Sequence, residues 1–505
     1  MEGDLIPSGT QMTDSTNAPS SQHGRWLLAT LIAMAVVLLA TMPGWIYVGD
    51  AMAMRRATEQ LLRTGTLSVP AQTAGDYGEP GQYFFRNERG EYFSKYGWFN
   101  SLVYVPPVAM DLFTGEPNAD DAPGGQSDRR RHYLNLFNLA ASLAIVYYLF
   151  SAAALYAEDS RHAAVFVVMT LLCTFAWNYL RAHTVELFQL LFFTASFVHF
   201  VRSSRNSERK SEENTDTGDA VWSQRDELLG WAFLAALCWG KSIYVLLLPI
   251  AFCFRLLAAD QRGRRAAVAA LAITITMGVI FAANWRCFDS PLATGYTQWQ
   301  RETQLFAWRV DAGALGFVLD PRKSVPLHFP AAIVAAVLTP FWLRLFGREA
   351  SYPLATLAVM WLANGAFVNW RGDWCYGPRY LLFALPVVSL PVLYLWRAEG
   401  RRVLGPARGV LLAVVVLASL WSLRNQMYVN SLEFFAPFRA EEIYAGANDG
   451  PPAGAFARPY WVINREILRA KKSGEPSFES RRDGGSESRA ESLRAVTPLN
   501  YHWLK

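Results

Sequence analysis

The chain has 505 residues, of which 52% are hydrophobic, 18% charged and 14% aromatic, with 18 tryptophans and a formal net charge of +5. Long uncharged runs alternating with short arginine-rich loops exclude a water-soluble enzyme surface and, despite the positive balance, a nucleic-acid-binding protein. Five cysteines, three of them inside apolar runs, exclude a disulfide scaffold and a C-x-x-C metal knuckle.

Residues 1–25 are polar and lack the basic opening of a cleaved signal, so the run 26–48 predicts a retained first helix behind a disordered cytoplasmic N-terminus. Further spans are predicted at about 133–156, 162–181, 184–201, 228–257, 265–285, 329–346, 351–369, 378–396 and 408–426. Only 228–257 is too long for one crossing. Basic residues resist translocation, which assigns five segments to the cytoplasm: Arg161; Arg202, Arg205, Arg209 and Lys210; Arg255, Arg262, Arg264 and Arg265; Arg344 and Arg348; Arg397, Arg401, Arg402 and Arg408. With basic clusters on both flanks, 228–257 must leave and return, as a hairpin with Gly240, Lys241 and Ser242 at its outer tip.

The expectation is an all-α integral membrane protein, a polytopic bundle of about eleven spans over 26–426, followed by a partly disordered tail, 427–505. Segments 49–132 and 286–328 fall on the outer face with the short loops around Arg181 to Glu186 and Arg371 to Arg379. Juxtamembrane helices and the chemistry are expected there. The inner loop 203–227 and the stretch 473–495 are charged and poor in apolar residues, and are expected to be disordered. No internal repeat of the transporter kind is evident.

Directly after the first span, 49–65 predicts an amphipathic helix lying on the membrane, with Arg55, Arg56, Glu59, Gln60 and Arg63 on one arc, Ala53, Met54, Ala57 and Leu61 on the other, and Gly65 as its end. Asp50 opens it. Two roles are open to that carboxylate: an N-cap, or a base at the lipid–water boundary that takes a proton from an incoming hydroxyl. The apolar piece 101–113, broken by Pro106 and Pro107, is too short to span and predicts a dip into the outer leaflet. Residues 369–380 place Arg371, Trp374, Tyr376 and Arg379 in one outer loop. An arginine at a helix end can simply snorkel to headgroups, but Lys241 at the hairpin tip lies on the same face. Two cations converging at the membrane surface suit a lipid-linked phosphate, with arginine as a planar fork and lysine as a point charge. Cys287 and Cys375, the two cysteines outside the apolar runs, also fall on this face, where a mutual disulfide and two free thiols are both open. His183 and His328 have no ligand-like spacing and are read as core or interfacial residues.

Taken in order, Gly49-Asp50 after the first span, Ser94-Lys95-Tyr96-Gly97 before Pro106-Pro107, the run Gly313-Ala314-Leu315-Gly316-Phe317-Val318-Leu319-Asp320-Pro321, and Tyr376-Gly377-Pro378-Arg379-Tyr380 resemble the bacterial GT-C membrane glycosyltransferases that use polyprenyl-phosphate sugars. Protein O-mannosyltransferases and aminoarabinose transferases are distant members. The resemblance implies a multi-pass protein of the bacterial inner membrane that moves a sugar from a polyprenyl-phosphate donor to a hydroxyl of a glycan, lipid or protein acceptor. It makes Asp50 the catalytic carboxylate and Glu186 the second acid. Lys241, Arg379, Arg371 and Lys95 are then donor-phosphate ligands, and Tyr96, Trp374 and Tyr376 contact sugar or acceptor. Many members pair acids at the first site, whereas Ala51 follows Asp50 here, so no metal ligands are assigned. No cofactor is expected, and dependence on a divalent metal is left open. A transporter or flippase of lipid-linked sugars is the alternative, together with a non-catalytic relative in which Asp50 only caps its helix. The transporter should carry ionisable or helix-breaking residues near the bilayer midplane, where these spans have almost none.

Overall fold

Apolar runs long enough to cross lipid become helices, because no water is present to pair their backbone groups. The computed structural model describes residues 20–42, 49–76, 83–114, 128–213, 219–257, 262–299, 306, 310–372, 375–431 and 459–473. The chain enters through α1 (Ser20–Thr41), then forms the amphipathic α2 (Gly49–Thr64), the short α3 (Ala71–Asp76) and an antiparallel hairpin of β1 (Phe84–Arg86) and β2 (Tyr92–Ser94), in which Phe84 pairs with Ser94. The expected outer-leaflet dip is two short helices, α4 (Trp98–Val103) and α5 (Val105–Thr114). Their break falls at Tyr104. Pro106 and Pro107 sit in the first turn of α5, where a missing N–H costs nothing.

The bundle continues with α6 (Asp128–Ala154), α7 (Ser160–Leu172), α8 (Ala176–Arg181), α9 (Val185–Glu213) and α10 (Asp219–Gly240). After Lys241 comes a 3₁₀ segment, Ser242–Leu246, that leads into α11 (Leu247–Leu256). The predicted hairpin is present. Arg255 at the end of α11 bonds Glu227 near the start of α10, so the chain between them travels out and back, with Lys241 at the turn. Next come α12 (Arg262–Phe288), α13 (Gly295–Trp299), α14 (Val310–Leu319), α15 (Val325–His328) and α16 (Ala331–Gly365). Gly347 interrupts α16 with φ 34° and ψ −103°, a backbone that favours glycine, and so separates the two predicted spans 329–346 and 351–369.

The run 378–396 is not the continuous helix expected. It is a chain of single turns: 3₁₀ at Arg379–Leu381, α17 (Leu385–Val388) and 3₁₀ at Leu390–Trp396. Pro386 and Pro391 remove the donors a helix would need, and residues 380–395 are buried in protein at all positions but Val388, where such backbone is tolerated. Finally come α18 (Ala398–Leu404), α19 (Pro406–Asn430) and α20 (Tyr460–Ser473). Among the described residues, six helices are long and apolar enough to cross a membrane. The other expected crossings fall on the shorter or interrupted pieces just described.

Sidedness has a structural counterpart. Arg205 pairs with Glu349 at 2.7 Å and donates to the Leu155 carbonyl, Arg265 reaches Ser207, Arg348 the Leu257 carbonyl, and Arg397 that of Tyr156. The basic clusters therefore gather at one end of the bundle, and Lys241 lies at the other. Two expectations are corrected. The charged loop 203–227 is helical up to Glu213 and again from Asp219, with Ser203 bonded to Glu227 across the pair. Arg55 is not on the exposed arc of α2: it is buried, 3.9 Å from Asp111 of α5, because its stem covers apolar surface where the two helices meet. The stretch 474–505 lies outside the described residues.

Candidate active site

Asp50 lies in the first turn of α2, where an acid also suits the helix dipole. Its helix is fixed from below: Thr58 donates to the Ser101 carbonyl at 2.6 Å, and Arg55 meets Asp111. The Asp50 carboxylate is close enough to Tyr96, Tyr296, Lys241 and Arg379 for its charge to act on each. Glu186 opens α9. The loop before it is locked at the end of the bundle, since Arg181 donates to the Thr41 carbonyl and Asn138 and Ser142 both donate to that of Leu180. The buried Glu186 carboxylate stands 3.8 Å from the Arg379 guanidinium.

Lys241 and Arg379 share one ring. The Lys241 ammonium lies 4.5 Å and the Arg379 guanidinium 5.0 Å from the centre of Tyr380, whose hydroxyl Arg379 also reaches at 3.3 Å. Tyr296 stands 5.8 Å from the Lys241 ammonium and edge-on to Tyr96, with ring centres 6.3 Å apart. Gly295 makes this approach possible: a Cβ there would lie 2.2 Å from the Lys95 Cα. Lys95, Tyr96, Trp98, Trp239, Lys241 and Tyr296 line a cleft whose empty volume, including the part open to solvent, is about 650 Å³.

Burial pushes the Lys241 ammonium down to about 8, with the Glu186 charge working against that shift. Burial first, and the Asp50 carboxylate second, hold the Tyr96 and Tyr296 phenols well above their ordinary value. Both are therefore hydrogen-bond donors at neutral pH. Two acids, two cations and two neutral phenols thus lie within range of one another's charge, and Lys241, Tyr96 and Tyr296 among them line the cleft. The arrangement can accept a proton from a hydroxyl at one edge and hold an anion at the other. Among the described residues no three His, Cys, Asp or Glu side chains lie together as a metal set.

Of the residues singled out in the sequence, Asp50, Glu186, Lys241, Arg379 and Tyr96 are brought together. Lys95 joins them at the cleft, its ammonium 5.1 Å from the Tyr96 ring centre. Arg371 instead donates to Asp320 at 3.1 Å and lies over Trp370. Tyr376 is buried in scaffold: its hydroxyl accepts from Gln426 and its carbonyl from Tyr179. Trp374 lies outside the described residues. All five cysteines are free, so the disulfide between Cys287 and Cys375 does not form. Cys287 lines the cleft, whereas Cys375 is buried with its sulfur 3.1 Å from the Lys323 ammonium. His183, bonded to Asn135, and His328, bonded to the Ser324 carbonyl, are buried core residues as read. Neither Tyr296 nor Tyr380 has a role in the reading of the sequence. Tyr380 stood beside Arg379 in a quoted motif, while no pattern marks Tyr296.

No family model and no curated protein matches the chain. Among solved structures it aligns with ArnT from Cupriavidus metallidurans bound to undecaprenyl phosphate, at 11% identity over 91% of this chain and 79% of that one, with a TM-score of 0.49. It aligns with the oligosaccharyltransferase AglB from Archaeoglobus fulgidus in complex with an inhibitory peptide and a dolichol-phosphate at 10% identity, over 94% and 68% of the two chains, also with a TM-score of 0.49. The Archaeoglobus fulgidus oligosaccharyltransferase tethered to an acceptor peptide aligns at 12% identity over 93% and 68%, with a TM-score of 0.51. At such identities the likeness is one of fold alone: the chain shares the multi-pass helical fold of the Archaeoglobus fulgidus oligosaccharyltransferase.

Proposed function

We propose that this protein is a membrane glycosyltransferase that moves a sugar from a polyprenyl-phosphate donor to an acceptor hydroxyl at the outer face of the bacterial inner membrane. One observation carries the reading: Asp50 and Glu186 meet Lys241 and Arg379 around Tyr96, Tyr296 and Tyr380, at the end of the bundle opposite the basic clusters. That end is outside if the basic clusters are cytoplasmic. An anionic headgroup there could bind while its tail stayed in lipid, and the shared fold is one that an archaeal oligosaccharyltransferase uses. The transferase unit is 26–426, and the cytoplasmic 1–25 and the tail 427–505 flank it.

In the reaction the acceptor oxygen attacks the anomeric carbon as its proton passes to Asp50. The bond from that carbon to the phosphate oxygen breaks, and its electron pair leaves with the lipid phosphate. Lys241 and Arg379 offset the charge gathering on that phosphate, while the ring passes through an oxocarbenium-like state. Glu186 steadies Arg379, and Lys95 extends the positive wall of the cleft. Asp50→Asn keeps size and helix start but removes the base, so transfer should fall by about 10² to 10⁴. The test is a deletion strain whose envelope glycans are analysed by mass spectrometry after complementation. Wild type should restore the missing sugar and Asp50→Asn should not; restoration by Asp50→Asn at equal expression overturns the proposal.

A further inference from the structure

The tail after the last span carries the amphipathic helix α20, to which the catalytic reading gives no task. It is docked through Tyr460, Trp461, Ile463 and Asn464, all buried. The Tyr460 ring lies 6.3 Å from that of Tyr376, and the Lys323 ammonium is 5.7 Å from its centre. Lys323 in turn donates to the Cys375 carbonyl. Cys375 and Tyr376 begin the short turn that ends at Arg379, so Tyr460 touches both devices that fix the base of that turn. Trp461 packs on His328, which itself lies 5.1 Å from Tyr376, and on Trp421 of α19.

The seam beneath α20 is different in kind. Asn464 donates to the Tyr428 carbonyl, so α20 crosses α19 between Trp421 and Tyr428. The interval holds Asn425 and Gln426, with Asn430 just beyond. Asn425 Nδ2, Gln426 Oε1, Asn430 Oδ1, Asn464 Oδ1 and His328 Nε2 are all buried without a hydrogen-bond partner among the described residues. Aromatic contact favours docking of α20, whereas these unmet polar atoms oppose it, since water would satisfy them on release. A helix held by two such opposed terms can separate without unfolding the bundle.

We propose that α20 is a detachable strap, and that Tyr460 and Trp461 are positioning residues that hold Cys375 to Arg379 in the arrangement that presents Arg379 to a lipid phosphate. The inference rests on the proposed function in taking the ligand to be a lipid phosphate. It carries a reciprocal requirement: if docking favours the phosphate, the phosphate must favour docking to the same degree. A purely structural helix would not respond to ligand.

The test uses the full chain in lipid nanodiscs, undecaprenyl phosphate as probe and inorganic phosphate as the control for a free anion. Asn464→Cys places a thiol in the seam, and its maleimide labelling, corrected for wild type, reports release of α20. Saturating undecaprenyl phosphate should slow that labelling about fivefold or more, the lower range of ordinary coupling between sites. Tyr460→Ala should weaken undecaprenyl phosphate binding by a similar factor, whereas Tyr460→Phe, which keeps the ring, should stay within about twofold. Protection by inorganic phosphate alone would assign the coupling to a free anion and overturn the lipid assignment. Labelling indifferent to both probes, in protein that binds undecaprenyl phosphate, overturns the strap and leaves the proposed function standing. Failure of wild type to bind undecaprenyl phosphate removes the proposed function and the strap with it.

Discussion

Two arginines, each beside a glutamate, occupy opposite ends of this bundle and are treated in opposite ways: Arg255 is fully buried, whereas Arg379 is partly exposed. At the basic end Arg255 spends its guanidinium entirely on protein: it bonds both oxygens of Glu227, the Phe200 carbonyl at 2.9 Å, and the hydroxyls of Ser203 and Ser204 at 3.1 and 2.6 Å. At the other end Arg379 has its Nε 3.8 Å from Glu186, too far for a hydrogen bond, and among the described residues its guanidinium is seen to bond the Tyr380 hydroxyl alone. A saturated fork fixes helices to one another. On the proposed function, a fork left unsaturated among the described residues is the one that meets the lipid phosphate, because an unmet charged donor is costly unless something else meets it.

The comparison can be broken most directly at Arg255. Arg255→Met should leave Glu227 buried and unpaired and cost about 3 to 5 kcal/mol of stability, read as a lowered unfolding temperature in detergent. The fraction that remains folded should bind undecaprenyl phosphate like wild type. Arg379→Met should reverse this pattern: unfolding within about 1 kcal/mol of wild type, because Glu186 keeps Lys241 nearby, and lipid-phosphate affinity lower by about 10- to 100-fold, the worth of a charge-assisted bond. Equal destabilisation by the two variants would show that both forks are structural.

A smaller effect sharpens the same contrast. Lys241 is pushed down to about 8, and its ammonium is the form that attracts a phosphate, so affinity should fall as pH rises past about 8, by at most tenfold per unit. Lys241→Arg should flatten that profile up to about pH 10, since a guanidinium does not titrate there. The stability term has the opposite sign: the unfolded chain binds the extra proton between about pH 8 and the ordinary lysine value near 10.4, so folding gains from rising pH across that window. A profile that is flat in wild type would remove Lys241 from the phosphate site.

Much of this architecture was legible. Uncharged runs located the spans, and arginines on both sides of 228–257 forced the hairpin that carries Lys241 to the same end as Asp50 and Arg379. The runs 329–346 and 351–369 read as separate spans, and a break at Gly347 divides them. Other parts depend on tertiary contact and leave no local trace. Tyr296 is one aromatic among many in a chain that is 14% aromatic, and only the approach of Gly295 to Lys95 selects it. Arg55 falls on the polar arc by angle, yet Asp111, 56 positions later, draws it inward. The charged stretch after Ser203 reads as disordered by composition, but packing of α9 against α10 extends both helices through most of it.

The proline-broken stretch 380–395 has a consequence for biogenesis. A continuous helix can rest in lipid alone, since its own turns satisfy its backbone, but turns interrupted at Pro386 and Pro391 cannot. On leaving the insertion machinery this stretch has to be received by partners already in the membrane: Phe193 and Tyr244 meet Phe383 edge-on, and Phe341 is stacked on Tyr394. These partners are earlier in the chain, so synthesis delivers the receiving wall first. Assembly therefore has a direction, and a break between α9 and α16 would strand a segment that has no stable place in lipid.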